Sequence, residues 1–125
     1  MSKEITFSKD IIIVTETDEK GIVVFANDDF CKVSGYLLCE LVGKPHNVVR
    51  HEDMPKEVFK NLWETIQSGK IWKGIVKNRT KDGGYYWVNA TVYSSKSVNG
   101  GLRYISVRVK PTQEEILTAT KLYSK

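Results

Sequence analysis

The chain has 125 residues, 41% hydrophobic and 27% charged, the make-up of one globular domain with room for a single core and a ligand-sized cavity. Its net charge of +4, from 19 basic and 15 acidic residues, is too mild and too scattered to imply nucleic acid. No apolar run approaches the roughly 20 residues of a membrane span, and the first residues lack a signal peptide's apolar core, so the expectation is a cytoplasmic domain that meets a membrane only through a parent or partner protein.

Residues 11–15 are rich in β-branched side chains and read as a strand. Asp18, Glu19, Lys20 and Gly21 form a turn signal, and residues 22–25 complete a hairpin. Asn27 and Asp28 can cap a short helix that runs to Ser34 and stops at Gly35. Residues 37–42 make another helical turn, ended by Gly43 and Pro45. Residues 45–54 have no clear period. From Pro55 onward, Val58, Phe59, Leu62, Trp63 and Ile66 fall on one face of a helix that ends at Gly69.

Three longer strands follow, over residues 71–80, 85–95 and 102–110. Lys81-Asp82-Gly83-Gly84 and Val98-Asn99-Gly100-Gly101 are the turns between them. Thr112 with Glu115 matches a capping box, so a final helix opens there with a weak apolar stripe. The order predicts an α+β domain: a five-stranded antiparallel sheet, helices gathered between its two halves, and a C-terminal linker helix. No strand–helix–strand repeat with a glycine fingerprint is present, which argues against a parallel dinucleotide-binding sheet. Cys31 and Cys39 form no CxxC pair and read as structural thiols in a reducing compartment.

That order resembles the PAS fold, and particular residues agree with it. Ala26-Asn27-Asp28-Asp29-Phe30, Ser34-Gly35-Tyr36 and Gly43-Lys44-Pro45 resemble the first half of a PAS core. Trp72-Lys73-Gly74, Asn78-Arg79, Lys81-Asp82-Gly83 and Tyr86-Trp87 resemble the second half. The resemblance divides the chain into an N-terminal extension (1–9), a PAS sensor domain (10–110) and a linker helix (111–125). Residues 45–55, Pro-His-Asn-Val-Val-Arg-His-Glu-Asp-Met-Pro, are similar to the FAD-binding PAS domains of bacterial aerotaxis receptors. The resemblance implies an FAD-dependent redox sensor that signals to a chemotaxis receptor or signalling module, as a homodimer or a heterodimer with a partner. It makes Arg50, His51 and Asp53 flavin-site residues, with Asn27, Trp72 and Asn78 as further carry-overs. Glu52 departs from the proline more usual at that point of the family's loop.

Residue chemistry is compatible with that reading. Arg50 offers a planar donor fork suited to phosphate, with His51 and Lys44 near it in sequence. Asp53 is placed to orient Arg50 or accept from a ribose hydroxyl. Alternation puts Trp72, Gly74, Val76 and Asn78 on one face of their strand and three cations on the other, so the first set is the expected cavity lining. Gly74 would let a ring approach the backbone, and Asn78 would bond a ring's polar edge. In the next strand, alternation alone does not choose between Trp87, Asn89, Thr91, Tyr93 and Tyr86, Val88, Ala90, Val92.

Two other readings stand beside this one. A haem-binding PAS sensor holding haem b would use His46 or His51 as its ligand. A cofactor-free PAS module would fill its cavity with side chains and bind a partner on the sheet. A light-driven cysteinyl adduct is disfavoured, because residues 47–51 contain no cysteine. An enzyme is not expected: His51-Glu52 is no HExxH motif, since position 55 is proline, and neither a catalytic triad nor a phosphate loop stands out.

Overall fold

The computed structural model describes residues 3–96 and 98–124; residues 1, 2, 97 and 125, and with them the outer ends of the expected N-terminal extension and C-terminal helix, lie outside the described residues. The elements are β1 (Ile13–Asp18), β2 (Val23–Ala26), α1 (Asp28–Ser34), α2 (Leu38–Leu41), a 3-10 turn (His46–Val49), α3 (Lys56–Gln67), β3 (Trp72–Arg79), β4 (Tyr85–Lys96), β5 (Leu102–Val109) and α4 (Gln113–Tyr123). The strands form one antiparallel sheet in the order β2-β1-β5-β4-β3. Hairpin connections join β1 to β2 and β3 to β4 to β5, and the long crossover from β2 to β3 carries the three helices that cover one face.

Local chemistry explains most boundaries. Asn27 caps α1: its Oδ1 accepts from the Phe30 N–H at 3.1 Å. The same oxygen accepts from Val14 N–H at 3.1 Å, and its Nδ2 donates to the Ile12 carbonyl at 2.8 Å, so one side chain joins the cap to β1. Thr112 and Glu115 make the reciprocal capping box that opens α4. Gly21 has a φ of +83°, and a side chain there would meet Trp63 at 2.9 Å. Glycine therefore lets the β1–β2 turn form and lets α3 pack onto it. β1 starts two residues later than its apolar run and extends through Asp18, because its pairing with β5 continues to Arg103.

The inner face carries Ile13, Thr15 and Thr17 of β1, Trp72, Val76 and Asn78 of β3, Tyr86, Val88, Ala90 and Val92 of β4, and Tyr104, Ser106 and Arg108 of β5. Phe30, Leu41 and Ile66 close over them from the helices. Each fully buried apolar side chain of this set contributes about 1.5–3 kcal/mol. The choice left open for β4 is thereby resolved: Tyr86, Val88, Ala90 and Val92 point inward.

α4 crosses the opposite face. Asn89, which alternates with the buried Val88 and Ala90, donates to Glu115 Oε2 at 3.0 Å. Tyr123 donates its hydroxyl to the Ile75 carbonyl of β3 at 2.6 Å. Ala119 is the buried contact between these anchors. Near the other end of the chain, Lys3 and Ile5 hydrogen-bond to the backbone of Tyr85, and Phe7 packs edge-on against Tyr86.

Candidate functional site

The segment without a period, residues 45–54, is shaped by tertiary contacts. After the 3-10 turn it runs along the free edge of β3. Arg50 bridges to Asn78, the His51 N–H donates to the Lys77 carbonyl at 3.4 Å, and the Lys77 N–H contacts Met54 Sδ at 3.3 Å. The strap holds Arg50 against the mouth of a cavity between the inner face of the sheet and α3.

The cavity has a volume of about 210 Å³. Aromatic and aliphatic residues, including Phe59, Leu62, Trp63, Ile66, Trp72 and Val76, make its walls. Polar groups from every side converge on it: Thr15 from β1, His46 from the 3-10 turn, Asn78 from β3, and Ser106 and Arg108 from β5. Lys20 and Asn47, both exposed, stand on its rim. Its lining holds three formal cations, Lys20, Arg50 and Arg108, and no aspartate or glutamate.

Several of these polar groups lack partners. Among the described residues, Arg50 Nε, Asn78 Nδ2, Ser106 Oγ and Arg108 Nη1 are buried side-chain atoms without a hydrogen bond, and all four belong to the cavity lining. Tyr86 Oη, opposite Asn78 across the β3–β4 pair, is a fifth. Leaving a buried donor unpaired costs about 1–3 kcal/mol, so a cluster of them around one cavity fits a site completed by a ligand or by ordered water.

Electrostatics follow from burial. The His46 pKa is pushed down to about 3, first by desolvation and then by the neighbouring Arg108, with Arg50 adding to it. Its Nε2 lies 2.8 Å from Arg108 Nη2 and 3.0 Å from Thr15 Oγ1. Arginine only donates, so His46 Nε2 is the acceptor and the ring is neutral with its proton on Nδ1. Burial lowers the pKa of both Arg50 and Arg108. Burial pushes the Tyr86 phenol up to about 12, with Arg108 and the adjacent Asn78 amide acting the other way.

The residues singled out from sequence fall into three groups. Arg50, Trp72 and Asn78 line the cavity. The Arg50 guanidinium lies 3.6 Å over the Phe59 ring, and Trp72 Nε1 donates to Asn61 Oδ1 at 3.0 Å. His51 and Asp53 lie outside the lining, on the strap. Asp53 pairs with Lys77 at 2.9 Å rather than with Arg50, which lowers its pKa, and His51 Nδ1 accepts from the Asp53 N–H at 3.0 Å. Asn27 is occupied by the α1 cap. The ring that approaches Gly74 is the indole of Trp72 itself: a side chain at position 74 would clash with it. Ser106 and Arg108 also line the cavity but belong to no motif of the sequence, and Lys20 stands in the sequence only as part of a turn signal.

Comparison with known proteins fits this architecture. The PAS fold family matches residues 23–114. The chain belongs to that family. It is 45% identical over 114 residues to the aerotaxis receptor of Escherichia coli (strain K12), covering 91% of this chain and 22% of that protein. It is 26% identical over 93 residues to a nitrogen fixation regulatory protein of Klebsiella oxytoca, covering 74% of this chain and 19% of that one. The chain thus spans about a fifth of the length of these curated relatives. The aerotaxis-receptor likeness expected from residues 45–55 is met by the first of them. Among solved structures, the dark state of the blue-light photoreceptor Aureochrome1 LOV superposes with a TM-score of 0.73 at 18% identity, covering 90% of this chain and 86% of that one, a likeness of fold. Among the described residues, no helix is long and apolar enough to cross a membrane.

Proposed function

We propose that this PAS domain is a redox-responsive sensor that holds FAD in the cavity and relays the cofactor's state to a chemotaxis-type signalling partner. The observation that carries the reading is the convergence of four unpartnered buried polar atoms on one cavity with three cations and no acid in its lining. Such a lining fits a ligand with an apolar flat body, an acceptor-rich edge and anionic groups. A cavity of about 210 Å³ has room for a ring system rather than a whole dinucleotide, so the phosphates belong near the rim, where Arg50 and Lys20 stand. The likeness of residues 45–55 to FAD-binding domains favours FAD over FMN. His51 and Asp53 serve the site through the strap: they fasten to β3 the loop that carries Arg50.

A bound flavin would supply the electron and proton chemistry. The protein's part begins at Asn78, whose amide lines the cavity beside the Tyr86 hydroxyl and can turn between that hydroxyl and a ligand. Asn78 is tied by its backbone to Arg50 and lies three residues from Ile75, whose carbonyl holds Tyr123 of α4. A turn of the Asn78 amide shifts β3, and a shift of β3 changes how α4 docks, a population shift between two states. Leu117 and Leu122 of α4, each 60% exposed, offer a surface to a dimer mate or signalling partner. The domain acts in the cytoplasm and reaches a membrane only through the polypeptide or partner it belongs to.

Haem b has weaker support. His46 Nε2 already accepts from Arg108, and His51 lies outside the lining. The test of the reading is uptake: the purified domain should contain FAD or take it up with a red-shifted, quenched flavin spectrum, and a domain that leaves added FAD free in solution would contradict it.

A further inference from the structure

The outer edge of β3 is covered along part of its length. Backbone groups two residues apart on a strand point the same way. Those of Lys77 point outward, since its carbonyl accepts from the His51 N–H and its own N–H meets Met54 Sδ. The Ile75 carbonyl also points outward, to the Tyr123 hydroxyl. The Ile75 N–H and both backbone groups of Lys73 therefore face away from β4, and among the described residues no hydrogen bond reaches them. The opposite edge of the sheet is guarded: Val23 of β2 exchanges backbone bonds with Gly43 and Lys44. A sheet edge left open is a template for another strand.

The open stretch forms the floor of a groove of about 820 Å³ between α3 and α4. Val58 and Asn61 stand on one side, Ala119 and Leu122 on the other, and Leu122 is 60% exposed. The lining holds three carboxylates, Glu57, Glu114 and Glu115, and one cation, Lys73. Glu115 is engaged by Asn89, so Glu57 and Glu114, both exposed, set the charge of the rim. Trp72 lines the groove and the inner cavity alike, and its indole is part of the wall between them.

These features specify an occupant. Unpaired backbone donors and an acceptor call for an extended backbone, apolar walls for aliphatic side chains, and an acidic rim for a cation. A second copy of the domain fits poorly. Its own α3 and α4 flank the same edge and would meet these, and two copies of Lys73 would come to one edge. A single extended chain passes between the helices. We propose that this groove receives an extended segment of a partner protein, apolar with basic residues, which adds to the five-stranded sheet beside β3. The proposal goes beyond the cofactor reading and does not depend on what fills the cavity. It puts a partner in contact with the strand that carries Trp72 and Asn78 inward.

The experiment titrates the 125-residue domain with a short acetylated peptide of alternating valine and lysine, and with the same peptide methylated on its backbone nitrogens. Amide shifts and hydrogen exchange are followed for wild type, Thr118→Trp and Glu114→Lys. The plain peptide should slow exchange of the Lys73 and Ile75 amides by about tenfold or more. The methylated peptide keeps the side chains and loses the donors, so it should bind at least about tenfold more weakly. Thr118 is exposed on the groove wall, and a tryptophan there should fill the groove and abolish the protection while the domain stays folded. Glu114→Lys should weaken the peptide and leave the fold intact; it decides the matter alone if Thr118→Trp does not fold. A plain peptide that protects neither amide would overturn the proposal. So would equal binding of the methylated peptide, or binding unchanged in both variants. Protection of the two amides without peptide, growing with domain concentration, would replace the partner segment by a second copy and overturn it as well.

Discussion

Tyr123, in the last turn of α4, donates its hydroxyl to the carbonyl of Ile75 on the edge strand β3 across 2.6 Å. The bond fastens the end of the helix to the strand that also carries Asn78 into the cavity. Its loss in Tyr123→Phe should cost about 1 kcal/mol of local stability. Hydrogen exchange of the α4 amides should then speed up by about fivefold, with flavin uptake unchanged. Unaltered exchange would mean that α4 is held elsewhere.

Asn78→Ala removes an amide that lines the cavity beside the Tyr86 hydroxyl. The variant should fold as well as wild type and bind flavin more weakly, by about 1 kcal/mol. Exchange of the α4 amides should no longer respond when the bound flavin is reduced. A normal response in this variant would remove Asn78 from the relay.

Arg50→Ala should leave the fold intact and weaken FAD by about 10- to 100-fold, the loss of one charge-assisted phosphate contact. Riboflavin should be much less affected. Full FAD retention in Arg50→Ala would end its phosphate role.

His46 gives the ligand-free domain an acid-sensitive stability. Its pKa is about 3 in the fold against an ordinary 6.5, so between those values the unfolded chain binds a proton that the folded chain refuses. Stability is therefore complete above the ordinary value, falls as pH drops toward the folded one, and is then flat, a total of a few kcal/mol at most. His51, also shifted downward by burial, adds in the same direction. Asp53, Asp82 and Glu40 are lowered by their hydrogen bonds and act in a more acidic window, below their own ordinary values. Melting temperatures followed from neutral pH down to about pH 5 should fall in wild type and fall less in His46→Gln. Equal slopes in the two proteins would place the acid sensitivity elsewhere.

The fold was readable from sequence where the chemistry is local. Asn27, Gly35, the capping pair Thr112 and Glu115 and the alternation of β3 each act through near neighbours, and each element appears where they put it. The strap over residues 50–54 was not readable, because its conformation comes from pairing with β3 some 24 residues away. The family resemblance found that stretch where periodicity could not. The same distance hid the ion pair that turns Asp53 toward Lys77 and away from Arg50. Arg108 was missed for a different reason. In β5 the apolar set Ile105, Val107 and Val109 alternates with Tyr104, Ser106 and Arg108, and a plain reading sends the arginine to solvent. The structure does the reverse: the outer face is apolar, and the inner face spends polar residues on a cavity.

The most direct test of the account is an absorbance spectrum of the purified domain, with any released cofactor identified by mass, before and after incubation with FAD. A domain that holds FAD in the cavity should show the two visible bands of a bound flavin and release a molecule with the mass of FAD. A domain that stays colourless after incubation, or one that shows an intense Soret band, would contradict it.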